Sequence, residues 1–510
     1  MPERHDPAGS DGSARDPTTP RHATAVVWFR RDLRLHDNEA LTEAARADRL
    51  LPVYAFDPRD YGEREYGGPD SFRFEKTGGG RARFRRESVT ALRASLRDRG
   101  SDLVVRTGPP ERAVARVAAR ADADAVYLHV WPSPEEVDVE SEVRASLRER
   151  GIEARRYWGH TLYHVNDLPD GYRGVPDTYT TFRESVEADA SVRSPLGTPD
   201  LPAVPDDAPD PGTIPTLDDL GVADRVPEDE RAVLSFDGGE PSGLDRLETY
   251  VWAEDRLREY KQTRNGLLGQ GYSTKLSPWL TEGCLSPRRV KAAVDRYEDR
   301  RVANDSTYWL LFELIWRDFF AFQVAKHGAQ FFAPGGLQER TEVDWRDPAT
   351  DTEAARAFER WCAGETGVPF VDANVRELNR TGYMSNRGRQ NVASFLANDL
   401  RVDWRRGAAY FETQLLDYDP ASNYGNWAYV AGVGNDTRNR RFDVVDQARR
   451  YDGEAEYVAH WLPDLDPLPP EYAHAPWEMS ESEQSEYGVE LGRDYPEPVV
   501  DPARFDEKRR

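Results

Sequence analysis

Between Ala25 and Tyr157 five short strand-like runs, three of them almost wholly apolar, alternate with stretches of helical pattern, and this alternation constrains the fold more than any other feature. The runs are 25–29, 51–56, 102–107, 125–129 and 153–157. Ala25-Val26-Val27-Trp28-Phe29 is apolar throughout, and the run from Leu51 to Phe56 is equally free of charge, as strands covered on both faces are. Helices are predicted after the charged loop 30–38 through Ala47, and over 84–97, 110–121 and 135–150. Strands alternating with helices make a parallel α/β sheet of the doubly wound type. No Gly-x-Gly-x-x-Gly follows the first strand, so the usual dinucleotide fingerprint is absent from this domain.

A chain of 510 residues exceeds one core. Residues 1–24 are rich in Pro, Asp, Arg, Ser and Thr and read as a disordered tail. An α/β domain over 25–165 follows, then a connector over 166–235. Seven prolines lie between Pro195 and Pro215, which suits an extended segment laid over the surface. From Leu244 the periodicity turns helical, with helices predicted at 243–260, 287–298, 306–327, 353–363, 371–380, 386–400, 406–415 and 443–451. The second domain, 236–465, is therefore all-α, and 466–510 reads as an acidic, poorly patterned tail.

The formal net charge is −24, from 92 acidic and 68 basic residues, and such a surface repels nucleic acid in bulk. Nucleic-acid binding would need a local basic patch. An acidic surface with scarce lysine also suits solvation at high salt. Only Cys284 and Cys362 are present, which excludes a disulfide framework or zinc array. No apolar leader opens the chain and no stretch reaches membrane-spanning length, so a soluble, cytoplasmic monomer is expected.

Chemistry gathers in the helical half. In the stretch 305–327, Asp305 or Ser306 can open a helix and Gly328 can close it. Trp309, Phe312, Trp316 and Phe320 make an aromatic stripe, with Glu313 and Arg317 on the face of Trp316. Such a face fits a core helix with a surface ion pair, or the wall of a pocket for a planar ligand. Gly271-Tyr272-Ser273-Thr274-Lys275-Leu276-Ser277-Pro278 sets three hydroxyls before a proline that can start a helix, a pattern shared by phosphate sites and plain caps. Asn386 and Arg389 share a helical face, and arginines this close to Ala393, Phe395 and Leu396 need buried partners. Asp417 and Asp419 alternate along an extended segment and offer such a partner. Two carboxylates with no histidine nearby are too few for a metal site.

Taken together, these residues resemble the photolyase/cryptochrome flavoproteins, and within them the cryptochrome DASH branch. The similarity begins at Val26–Asn38, resumes at Pro176–Arg183 and runs from Gly238 to Leu462, with long specific blocks at Thr381–Leu396 and Leu416–Gly434. The resemblance implies a Rossmann-like, photolyase-type domain followed by a helical FAD-binding domain. Carried over by position, Tyr260 and Ser273, Thr274, Lys275, Leu276 and Ser277 would hold the ribityl and pyrophosphate of a bent FAD, with Arg317 against the phosphates. Asn386, Arg389, Asp417 and Asp419 would surround the isoalloxazine, and Asn423 would face its N5. Trp427, Trp404 and Trp345 would relay electrons from the surface; the last requires an insertion near 348–352. Glu313 would line the floor of the substrate cavity. Glu136 would contact an antenna, usually methenyltetrahydrofolate, with a deazaflavin or an empty site as the alternatives, since a Glu at a helix N-terminus also needs no ligand.

The implied reaction is electron donation from excited, reduced FAD to a cyclobutane pyrimidine dimer extruded from DNA. Trp316 matches the family's stacking ring, while Tyr429 and Gln390 stand where duplex-repairing members carry tryptophan and methionine. Both departures favour single-stranded DNA. Arg264, Lys326, Arg387 and Arg440 would contact phosphates. The competing expectation is a blue-light photoreceptor that binds DNA or a protein partner without repair.

Overall fold

The computed structural model describes residues 22–507 except 69, 206–207, 224–228, 341 and 436–440, with the backbone alone at 506–507. Five parallel strands form the N-terminal sheet: β1 (Thr24–Phe29), β2 (Arg49–Phe56), β5 (Val104–Thr107), β6 (Ala125–His129) and β7 (Glu153–Tyr157). Their order is β5-β2-β1-β6-β7, with Val26 opposite both Leu51 and Val126. β1 begins inside the segment expected as a tail. A small antiparallel hairpin, β3 (Glu63–Glu65) with β4 (Arg73–Glu75), is an addition that its charged sequence did not signal.

Helices α1 (Glu39–Ala44), α2 (Gly79–Arg97), α3 (Pro110–Arg120) and α4 (Pro134–Arg148) cover the sheet. Alternate strand residues divide between two cores, as the pleat requires. Val26, Trp28, Leu51, Val53, Val126 and Leu128 pack with Val114, Val117, Val143 and Leu147. Val27, Phe29, Leu50 and Tyr54 point the other way, into a core continuous with the helical half. The sheet is thus doubly wound, and its second face is covered by the helical domain as well as by α1 and α2.

The connector carries a helix, Tyr179–Asp189, and then runs extended along the α/β domain. Its carbonyls at Leu196, Ala203 and Pro211 accept from Asp37, Leu50 and Val105. In the helical half the helix Asp305–His327 is central. Asn304 caps it through a capping box with Thr307, one residue before the expected position, and Gly328 closes it at φ 56°. Beyond Pro469 the chain is not a loose tail. Tyr495 is buried and donates to Asp372 at 2.5 Å, and Trp477 stacks on Phe505 at 5.5 Å. The aromatics that fold this segment are too sparse for a periodic signal. No helix among the described residues is long and apolar enough to cross a membrane.

Charged side chains join the two domains. Arg85 of α2 pairs with buried Glu282, and Arg34 donates to carbonyls of Gly159 and Gly283. Asp318, fully buried, accepts from the backbone N–H groups of Leu162 and Tyr163 at 2.9 and 2.8 Å. Burial pushes its carboxyl up to about 7, although those donors and Arg317 pull it down. The folded protein therefore keeps a proton that the unfolded chain has lost between pH about 4 and 7, so this group's contribution weakens as pH rises through that window. At ~1.4 kcal/mol per pH unit the loss reaches at most ~4 kcal/mol. Urea unfolding of Asp318→Asn is expected to show a lower midpoint at pH 4.5 and a flatter decline from pH 4.5 to 7.5 than the parent; parallel pH profiles would contradict this.

Candidate functional site

A cavity of about 660 Å³ opens between the helix Asp305–His327, the loop 271–277, the helix Asn386–Ser394 and the segment 417–426. The structure brings Tyr260, Arg264, Ser273, Thr274, Lys275, Leu276, Ser277, Glu313, Trp316, Arg317, Asn386, Arg389, Gln390, Asp417 and Asp419 to its wall. Asn423 and Trp427 line an adjoining recess of about 90 Å³ that shares Asn386, Arg389, Asp417 and Asp419.

Local sequence explains each placement. Asp419 is the N-cap of a helix, Pro420–Val430, accepting from Ser422 N–H at 2.8 Å, with proline at the first helical position. An extended segment was expected here. The Asp-Pro pair was the signal for a helix, and it puts Asn423 and Trp427 one turn apart. Asn423 donates to the Ala408 carbonyl at 2.9 Å, which fixes its amide and leaves the oxygen as its acceptor. Lys275 adopts φ 54°, bending the loop 271–277 back on itself. Arg246 holds that bend by donating to the carbonyls of Gln270, Ser273 and Thr274. Arg246 was missed because its ligands are main-chain atoms, which leave no mark in a sequence.

The strongest electrostatic feature is the pair of Arg389 and Asp417, 2.9 Å apart. Burial alone would lower the Arg389 guanidinium, but Asp417 beside it holds it above its ordinary value. Ser277 donates to the same Asp417 oxygen at 2.6 Å. The other oxygen, Oδ1, is buried with no hydrogen-bond donor among the described residues. Arg31, from the loop after β1, braces this segment by donating to the Tyr418 carbonyl at 3.1 Å and lying 3.9 Å from Asp419. Arg317 donates to the carbonyls of His160 and Leu280, and burial lowers its guanidinium. Glu313 pairs with Arg264, and burial raises its carboxyl even so.

Trp316 is half-buried, with one face on Tyr179 at 3.6 Å and 5°. Tyr179 donates to the Phe312 carbonyl at 2.9 Å, locking both rings to one helix. It lies inside a block that resembled the family, yet only the fold shows that it backs Trp316.

Comparison with known proteins places these features. Residues 25–206 match the family described as DNA photolyase, and 309–509 the one described as the FAD binding domain of DNA photolyase. The cryptochrome DASH of Natronomonas pharaonis is 59% identical over 480 residues, spanning 94% of this chain and 98% of its own. The chain belongs to the cryptochrome DASH family. The cryptochrome DASH of Synechocystis is 46% identical, over 96% of this chain and 97% of its own. A solved Synechocystis cryptochrome superposes with a TM-score of 0.89 at 45% identity, covering 96% of this chain and 99% of that one. A class III photolyase from Agrobacterium tumefaciens reaches 0.79 at 29% identity, covering 96% and 97%. The helical half of this cryptochrome DASH is thus a photolyase-type FAD-binding domain.

Other expected residues of the DASH chain lie outside the cavity. Trp427 and Trp404 are buried, on helices packed against each other, and Trp404 donates to the Pro334 carbonyl at 3.0 Å. Trp345 is half-buried and has no ring partner among the described residues. Trp361 instead meets Trp427 edge-on at 6.2 Å. Tyr429 is buried and stands edge-on to Trp316 at 6.2 Å and 79°, so it offers no second stacking plane. Lys326 is committed to Asp177 at 2.6 Å and to the Val175 carbonyl rather than standing free. Arg387 stacks on Tyr451 at 4.4 Å and bonds Gln390 at 3.0 Å, with no carboxylate partner among the described residues. Glu136 lies at a separate recess, held by Arg30. Arg440 lies outside the described residues.

Gly407 sets the depth of Trp427. A Cβ there would stand 2.3 Å from the indole and 2.5 Å from Leu396. Gly407→Ala is expected to cost ~1–3 kcal/mol of stability by overpacking and to shift tryptophan emission; an unchanged denaturation midpoint would show that the helices separate freely.

Proposed function

We propose that this cryptochrome DASH is a flavin-dependent, blue-light-driven lyase that splits cyclobutane pyrimidine dimers, mainly in single-stranded DNA. The observation that carries the reading is the single cavity that joins the Arg389–Asp417 pair, with its undonated Asp417 Oδ1, to the half-exposed ring of Trp316. FAD would be held by Tyr260, the loop 273–277 and Arg317 at its phosphates, and by Asn386, Arg389, Asp417, Asp419 and Asn423 at its ring. When bound, reduced and excited, it supplies the electron that opens the dimer.

The chain's own residues orient and tune. Arg389 sets a cation beside the ring, tempered by Asp417. The free oxygen of Asp417 can accept from a ring N–H, and the Asn423 oxygen from N5–H. Trp316, backed by Tyr179, gives the dimer one rigid stacking plane, and Glu313 forms the cavity floor. Stacking is worth ~1–3 kcal/mol per base, while extruding a dimer from duplex costs a few kcal/mol. With Tyr429 edge-on, one plane cannot offset that cost, which supports preference for single strands. Trp427, Trp404 and Trp345 would carry electrons inward.

A folate antenna would enter the recess beside Arg30, Lys76, Glu135 and Glu136. It lies at the carboxyl ends of β1 and β2, facing the start of α4, at the end of the sheet where α/β folds bind ligands. The recess is only about 110 Å³ and the Lys76–Glu135 pair lines it, so side chains such as these would have to move for a folate to enter. Purified protein is expected to show near-ultraviolet absorbance beyond flavin, lost in Glu136→Ala with flavin retained; equal spectra would remove Glu136 from that role.

Reduced, flavin-loaded protein illuminated with dimer-containing oligonucleotides is expected to repair single strands at least about tenfold faster than duplexes. Trp316→Ala should weaken lesion binding by roughly 5- to 150-fold, the equivalent of one stacked base, with flavin content unchanged. Repair of neither substrate would overturn the proposal and leave light reception.

A further inference from the structure

Strand β5 and helix α3 carry a feature that the flavin cavity does not use. Arg112, Arg116 and Arg120 recur every four residues on α3 and are exposed. Together with Arg106 at the end of β5 they line one depression of about 260 Å³. Four residues of α-helix advance ~6 Å, so the three α3 guanidiniums form a file ~12 Å long.

This file gathers in one depression arginines that have no carboxylate beside them. In a chain with 92 acidic residues, arginines commonly sit beside carboxylates, and Arg59 has three, from Asp57, Glu111 and Glu142. Arg112, Arg116 and Arg120 form no ion pair with any described residue. Glu111, the one acid on α3, is turned to Arg59 at 2.9 Å. Arg106 donates only to the carbonyls of Val105 and Asp210. Burial and the closeness of Arg120 hold the Arg106 guanidinium below its ordinary value, opposed by Asp210. Like charges gathered this way are relieved when an anion stands among them. By contrast, two of the cations expected to contact DNA phosphates, Arg264 and Lys326, are already committed to Glu313 and Asp177.

We propose that Arg106, Arg112, Arg116 and Arg120 form an accessory site that takes the phosphates of a nucleic-acid strand without reading its bases. The three α3 guanidiniums, ~6 Å apart in a file ~12 Å long, can meet successive phosphates of one extended strand. No aromatic ring lines the depression, so bases have nothing to stack on. Its volume lies below the ~300 Å³ at which ligand pockets begin, which favours an extended polyanion over an enclosed nucleotide.

The test is binding of an undamaged, fluorescent single-stranded oligonucleotide to flavin-loaded protein in the dark, across a salt series. Each phosphate contact adds ~0.7 to the slope of log affinity on log salt for single strands, so Arg112→Gln/Arg116→Gln/Arg120→Gln should make the slope shallower by ~2. Flavin absorbance and melting temperature should match the parent. Should the triple variant lose flavin, Arg116→Gln alone is expected to reduce the slope by ~0.7. The charge-matched control Arg99→Gln/Arg289→Gln/Arg300→Gln should leave the slope within error. An equal fall in the control would assign the effect to bulk charge and overturn the site, as would an unchanged slope in the α3 variant. Displacement of the strand by millimolar inorganic phosphate as readily as by unlabelled oligonucleotide would make this a small-anion site and overturn the nucleic-acid reading.

Discussion

The arrangement of the helical half depends on one ion pair in the cavity wall. Arg389 and Asp417 come from different segments; Asp417 is buried, while Arg389 keeps 24% of its side chain open to the cavity. Removing Arg389 would leave the buried Asp417 carboxylate without its counter-ion, which destabilises the fold. The pair therefore ties the helix Asn386–Ser394 to the turn before Pro420. That turn in turn sets Asp419 as a cap and Asn423 one helical turn further on. Ser277 joins the pair from the loop 271–277, so three sequence-distant pieces converge on one carboxylate.

The α/β domain is more than a neighbour. Arg31 reaches from the first strand's loop to Tyr418 and Asp419, and Arg34 and Arg85 grip the segment at Glu282 and Gly283. Buried guanidiniums satisfied by main-chain carbonyls are directional, so they fix orientation as well as distance. The flavin cavity inherits its rigidity on that side from the sheet. The opposite wall is aromatic: Tyr179 presses on Trp316, and Phe320 and Tyr429 close the cluster behind.

Much of this was legible in the residues. The five strands and the covering helices follow from runs and periods that local propensity does not oppose. The long blocks around Asn386 and Asp417 carried the family resemblance, and most residues assigned from them converge on one cavity. The failures have separate causes. The helix Pro420–Val430 was overlooked because its Asp-Pro opening was weighed as two alternating carboxylates. The segment beyond Pro469 was read from its charge, whereas isolated aromatics such as Trp477 and Tyr495 decide its packing. Lys326 was expected to be free because its partner, Asp177, lies 149 positions away in the chain.

What the amino-acid order determined alone was the class of each half: period-two and period-3.6 burial are set by neighbours within a few residues, and so were the caps and the family blocks. What the tertiary structure decided was how side chains pair across the chain. Tyr429 lies edge-on behind Trp316, Arg246 grips carbonyls, and one oxygen of Asp417 is left without a donor. These outcomes depend on distances between segments that meet only when the whole core closes, because hydrogen bonds and ion pairs act over a few ångströms of space and take no account of separation along the chain.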